Sequence, residues 1–197
     1  MRGSHVLMEC LLAEGVEYLF GNPGSTESGI LDSFQDYPQI EYVLGLHEAV
    51  AVAMADGYAR ASGKPGVVSV HISPGTANSM GMLLSANKGR TPLVVIAGQQ
   101  YTGGLIGEPV MGIDILELAR PVTKWAVQVE RASDLSTIMR RAFKIATTPP
   151  TGPVYVAIPL DIQVAEIDAA IGPSQRIHSQ ILPDPEAMEK ACAILNQ

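Results

Sequence analysis

Glu48 is the only acid between Glu41 and Asp56, and it opens a run suited to burial, Glu48-Ala49-Val50-Ala51-Val52-Ala53-Met54-Ala55. A carboxylate entering an apolar helix is costly to ionise, so its pKa is expected to rise unless a partner is supplied. Such an acid can share a proton with a ligand nitrogen. The competing reading is structural, since an acid in a first helical turn is stabilised by the helix dipole. Other groups able to move protons or make hydrogen bonds fall into two further segments. Asn22 and Ser25 lie between Gly21 and Ser25, and His71, Thr76 and Asn78 lie between His71 and Asn78; His47 precedes the acid itself. Ser25 or Thr26 can also cap the helix that follows.

The elements needed to position these groups are legible from periodicity. Residues 5–14 read as a helix, with Gly15 at the position that takes positive φ. Glu17 to Phe20 is a short strand closed by Gly21-Asn22-Pro23-Gly24, and a helix follows to about Phe34. Glu41 to Leu44 is the second strand; the Glu48 helix then ends at Ser62-Gly63. Gly66 to Val70 is a continuous apolar run of the kind buried on both faces. A loop is expected from His71 to Gly75, then a helix to about Asn87 and a strand from Leu93 to Ala97. Gly98 to Gly112 reads as irregular, Lys124 to Val129 as a strand, Ser133 as the cap of a helix to Thr147, and Val154 to Ile158 as the last strand. Apolar strands alternating with helices point to an α/β fold, a doubly wound, mainly parallel sheet with helices on both faces. In such a sheet ligands bind beyond the carboxyl ends of the strands, where the three segments converge.

Composition narrows the function classes. The chain has 197 residues, 47% of them hydrophobic and 17% charged, which describes a well-buried core. A net charge of −7 without a basic run argues against a nucleic-acid partner. Glu9 and Glu14 interrupt the first apolar helix, and no stretch is long enough to span a membrane. Cys10 and Cys192 are expected to be buried free thiols in a reducing cytosol, which points to a cytoplasmic protein. The Gly21–Thr26 segment lacks the glycine spacing of a dinucleotide loop, and Pro23 removes an amide a phosphate would need. No metal site is expected, because His47 and Glu48 are adjacent while His71 is remote, and neither HExxH nor CxxC occurs.

Three blocks carry a family resemblance: Phe20-Gly21-Asn22-Pro23-Gly24-Ser25, the Glu48 helix ending Ala55-Asp56-Gly57-Tyr58-Ala59-Arg60, and His71-Ile72-Ser73-Pro74-Gly75-Thr76-Ala77-Asn78. In order and spacing they resemble the N-terminal pyrimidine-binding domain of thiamine-diphosphate-dependent enzymes. Within that family the chain is most similar to the benzoylformate decarboxylases, through His71, Ala97-Gly98-Gln99-Gln100 and Arg120-Pro121-Val122-Thr123-Lys124-Trp125. Acetolactate synthase-like members share the glutamate helix but usually lack a histidine at the position of His71. The resemblance implies that Glu48 bonds N1′ of the cofactor's aminopyrimidine and favours its imino form. It further implies that Ser25 bonds a substrate carboxylate and that His71 relays protons. Asn22, Pro23, Gly24, Thr76 and Asn78 would shape the cofactor site, Val110 and Met111 its edge, while His47, Met80 and Met82 would be structural.

The same resemblance sets domain expectations: a pyrimidine-binding domain over 1–166, a linker over 167–184, and the first helix of a truncated middle domain over 185–197. Only the pyrimidine end of thiamine diphosphate would be bound here. Mg²⁺ would be held in the full-length enzyme by ligands outside this chain, because the family's Gly-Asp-Gly mark is missing and the only Asp-Gly is Asp56-Gly57. The substrate would be a small 2-oxo acid, and the site would be shared between subunits of a homodimer or homotetramer. Two alternatives stand beside this one: an acetolactate synthase-like carboligase domain, and a non-catalytic dimerisation module of the same fold.

Overall fold

The computed structural model describes residues 1–174 and 182–196, so part of the expected linker lies outside the described residues. Six strands form one sheet: β1 (Tyr18–Asn22), β2 (Glu41–Leu44), β3 (Gly66–Val70), β4 (Leu93–Gln99), β5 (Trp125–Gln128) and β6 (Val154–Pro159). Their order is β2-β1-β3-β4-β6-β5, and every neighbouring pair is parallel. Parallel strands need crossover helices, and those helices cover both faces. The central strands β3, β4 and β6 are therefore buried throughout, as their largely apolar sequences require.

Side chains alternate along the strands and divide the core in two. Val94, Ile96, Val154 and Val156 face a layer built from α1 (Gly3–Ala13), α2 (Ser28–Ser33), α6 (Leu135–Thr147) and α7 (Leu160–Val164). Val95, Ala97, Tyr155 and Ala157 face α3 (Glu48–Ser62), α4 (Ile72–Lys88) and α5 (Ile115–Ala119). Ala51, Ala55 and Ala59 line the buried side of α3, and such small side chains let its backbone approach the sheet closely. Gly63, at φ +71, ends α3 and donates its N–H to the Ala59 carbonyl. Because β2 and β3 flank β1 on opposite sides, the chain reverses its winding between β1 and β3. That switch leaves a crevice at the strands' carboxyl ends.

Several local expectations are corrected. No loop separates β3 from its helix: His71 is the extended residue before α4, and Ile72 turns the chain with φ +31. Pro74 reads as a helix breaker, yet it falls in the first turn, where its missing N–H has no intrahelical acceptor to lose. The helix expected after Gly24 is split into 3₁₀ turns at Ser25–Glu27 and Phe34–Asp36 around the short α2. Neither Ser25 nor Thr26 caps it with a side chain, and Ser133 does not cap α6, its hydroxyl facing Asp134 instead. After Pro159 the chain forms α7, anchored by buried Ile162 and Gln163. The terminal helix α8 (Pro185–Leu195) forms as expected, capped by Asp184, with its described residues exposed. Cys192 on it is therefore exposed rather than buried, whereas burial pushes the Cys10 thiol up to about 12. No helix among the described residues is long and apolar enough to cross a membrane.

Candidate active site

Glu48 is the first residue of α3, at the crevice, and only 6% of its surface is exposed. Two side-chain amides grip its carboxylate. Asn22 Nδ2, from the end of β1, donates to Oε1 at 3.1 Å, and Asn78 Nδ2, from α4, donates to Oε2 at 2.9 Å. Burial alone would raise this pKa, but the Asn78 amide, the residue's own backbone N–H, Asn22 and nearby His47 together outweigh it and hold the carboxyl below its ordinary value. Partners are thus supplied, the condition under which no rise is expected, and charge-stabilising donors win over desolvation. Gly75 brings α4 against the acid, since a Cβ there would meet Glu48 Cγ and Oε1 at 3.2 Å. His47 caps α3, its Nδ1 accepting from the Ala49 N–H at 3.2 Å, which is the structural role expected of it. Met80 and Met82 pack partly buried against the sheet.

His71, the single residue between β3 and α4, has its ring against Gly24. A Cβ at position 24 would sit 2.2 Å from His71 Nδ1, so Gly24 serves the histidine. Nδ1 lies 2.9 Å from Glu27 Oε2 and 2.9 Å from Thr26 Oγ1. Glu27 is fully buried, and nothing in the reading of the sequence singled it out. The signal available was its position three residues after Gly24, the spacing at which an acid reaches back to a free backbone N–H; Glu27 Oε2 accepts from the Gly24 N–H at 2.8 Å. Ser25 is exposed at the rim of the same turn.

Thr76 is placed differently from the other candidates. Its hydroxyl is buried, bonded to the Ile72 carbonyl at 2.5 Å and the Tyr155 hydroxyl at 2.6 Å, so it braces α4 against β6 and does not reach the crevice. Ser73 donates to the Met111 carbonyl at 2.5 Å and ties the exposed Val110–Met111 loop to α4. The structure thus brings together Asn22, Glu48 and Asn78, and beside them His71 with Thr26 and Glu27. A cavity of 690 Å³ in the other helical layer, lined in part by Lys124, Arg140, Arg141 and Lys144, gathers no comparable acid–base set.

With the two side-chain amides and its own backbone N–H bonded, the Glu48 carboxylate still has acceptor capacity for the N–H of a protonated ring nitrogen in the crevice. A carboxyl group so placed fits an aminopyrimidine ring nitrogen with which it shares a proton. Among the described residues no group of three or more His, Cys, Asp or Glu could hold a metal ion.

Comparison with known proteins identifies the family. Residues 1–117 match the family model for the thiamine pyrophosphate enzyme, N-terminal TPP binding domain. The chain is 42% identical over 156 residues to a benzoylformate decarboxylase of Pseudomonas aeruginosa, covering 78% of this chain and 29% of that protein. It is 39% identical over 161 residues to an acetolactate synthase large subunit of Haemophilus influenzae, covering 82% and 28%. Among solved structures it is similar to a thiamine diphosphate-dependent 4-hydroxybenzoylformate decarboxylase of Rhodococcus jostii (TM-score 0.86, 34% identity, 99% of this chain and 37% of that one). The chain therefore spans under a third of the length of these curated relatives. Matched over more than half its length, it belongs to the thiamine pyrophosphate enzymes and carries their N-terminal TPP binding domain.

Proposed function

We propose that this chain is the pyrimidine-binding part of a thiamine-diphosphate-dependent 2-oxo acid decarboxylase of the benzoylformate type. The observation that carries the reading is the buried Glu48 carboxylate, aimed into the crevice between two amide donors with acceptor capacity to spare. When bound, the cofactor supplies a carbon nucleophile and an electron sink. Glu48 bonds N1′ of its pyrimidine and shares a proton there. A carboxyl tuned by hydrogen bonds can take and return that proton as the reaction proceeds. Asn22 and Asn78 orient Glu48, with Pro23 and Gly24 shaping the adjoining wall. His71 relays a proton at the substrate, and Ser25, exposed at the rim, meets the substrate carboxylate.

In this reading residues 1–166 form the pyrimidine-binding domain, residues 167–184 are a linker and residues 185–197 begin a middle domain. Mg²⁺ and the diphosphate are bound by residues outside this chain. The protein works in the cytoplasm as a homodimer or homotetramer that shares each site between subunits. The runner-up is an acetolactate synthase-like carboligase, favoured by the similar identity of the two relatives. His71 weighs against it. The test is turnover by the full-length protein with thiamine diphosphate and Mg²⁺. Release of CO₂ and an aldehyde from benzoylformate is expected, and formation of acetolactate from pyruvate with no turnover of benzoylformate would overturn the decarboxylase assignment.

A further inference from the structure

Glu27 has a more enclosed environment than any other acid near the crevice. Its Oε2 accepts from the Gly24 N–H at 2.8 Å and faces His71 Nδ1 at 2.9 Å, and its Oε1 accepts from Thr26 Oγ1 at 2.6 Å. Thr26 Oγ1 also lies 2.9 Å from His71 Nδ1, but its one proton is directed to Glu27. His71 Nδ1 is therefore bracketed by two oxygens, one of them on a carboxylate. Only a ring carrying its proton on Nδ1 satisfies both. Nε2 is left as the ring's proton-accepting nitrogen, and it bonds nothing among the described residues.

Two further features fit the chain around this contact. A Cβ at Gly98 would lie 2.0 Å from Glu27 Oε1 and 2.6 Å from the Thr26 carbonyl, so the end of β4 is kept bare to admit the acid. Gln163 of α7 donates from Nε2 to the Thr26 carbonyl at 2.7 Å and to the Ile158 carbonyl at 3.0 Å, pinning the turn to β6. A capping interaction alone would need neither the bare glycine nor the histidine above Gly24.

We propose that Glu27 is the positioning residue of His71: buried beneath the Gly24 turn, it locks the imidazole as the Nδ1–H tautomer and presents Nε2 as the proton-accepting edge. This deepens the proposed relay role of His71 and rests on it for its catalytic meaning, though the tautomer is a property of the chain itself. The catalytic consequence is that Nε2 is the atom that exchanges a proton with bound substrate.

The test is two-bond proton–nitrogen correlation NMR on this chain labelled with ¹⁵N-histidine, at a pH where the ring is neutral, with His71 assigned by His71→Asn. The expected spectrum shows His71 in the Nδ1–H form alone; an Nε2–H form or an averaged mixture overturns the proposal. In Glu27→Gln the amide can also donate, so the lock should be lost and the Nε2–H form should appear. An unchanged Nδ1–H spectrum would transfer the role away from Glu27. Thr26→Val should retain the Nδ1–H form, and it decides the matter together with the unsubstituted chain if Glu27→Gln does not fold. In the full-length protein, Glu27→Gln and His71→Ala should lower kcat by a similar factor, with no further loss when combined. A locked tautomer with kcat indifferent to both changes would sink the relay reading while leaving the geometry standing.

Discussion

Two glutamates stand at the same end of the sheet and have opposite surroundings. Glu27 accepts hydrogen bonds from a backbone N–H, a threonine hydroxyl and a histidine ring, and none of its surface is exposed. Glu48 accepts one side-chain amide on each oxygen and keeps a sliver of exposure toward the crevice. The first acid is wholly enclosed by the groups that bond it; the second is steadied by its donors but left slightly open. A buried carboxylate is costly unless it is bonded, so the bonds it makes show what it is for. The bonds of Glu27 hold a neighbour, and those of Glu48 leave it free for the ligand role proposed for it.

The sharpest way to break that contrast is Glu48→Gln in the full-length protein. It keeps the side chain's shape but turns one acceptor oxygen into an amide donor and removes the transferable proton. Turnover should fall by roughly two to four orders of magnitude, about 2.7–5.5 kcal/mol, with the fold retained. Near-normal turnover would remove Glu48 from the mechanism. Next in size is Gly98→Ala, which drives a methyl group into Glu27 and Thr26 while leaving the Glu48 side untouched. Thermal or denaturant unfolding should show a loss of about 1–3 kcal/mol, the usual range for overpacking. His71→Ala should slow decarboxylation at least tenfold, about 1.4 kcal/mol, without lowering affinity for the cofactor; steady-state kinetics beside cofactor titration would separate the two.

The smallest effect is on stability against pH. Glu48's carboxyl is held below its ordinary value of 4.5, so its ionised form contributes stability that is complete above about pH 4.5 and fades as pH falls toward the lower folded value. The difference in unfolding temperature between the native chain and Glu48→Gln should therefore narrow on acidification. A gap that widens below pH 4.5 would mean that burial dominates after all.

The parallel α/β architecture was legible because its causes are local. Val67, Val68 and Val70, interrupted only by the small Ser69, mark a strand buried on both faces, and Gly63 stands where α3 needs a left-handed residue. The oddity of Glu48 was visible for the same reason, as one acid in a run of alanines and valines. The one-residue turn at Ile72 was not visible, because Pro74 reads as a breaker until its place in the first turn is known. Thr76 likewise looked like a crevice residue, and only the approach of Tyr155 shows its hydroxyl turned into the core.

By itself, then, the sequence determined the strands, most of the helices, their parallel packing and the acid on which the proposed site is centred. Periodicity and composition record burial one segment at a time. Tertiary structure decided the sign of Glu48's pKa shift and the partnership of Glu27 with His71. The amides that outweigh desolvation come from residues 26 and 30 positions away, and the acid beneath His71 lies 44 positions before it. Hydrogen bonds across crossover connections depend on where the strand ends meet in space, and no local pattern encodes that meeting.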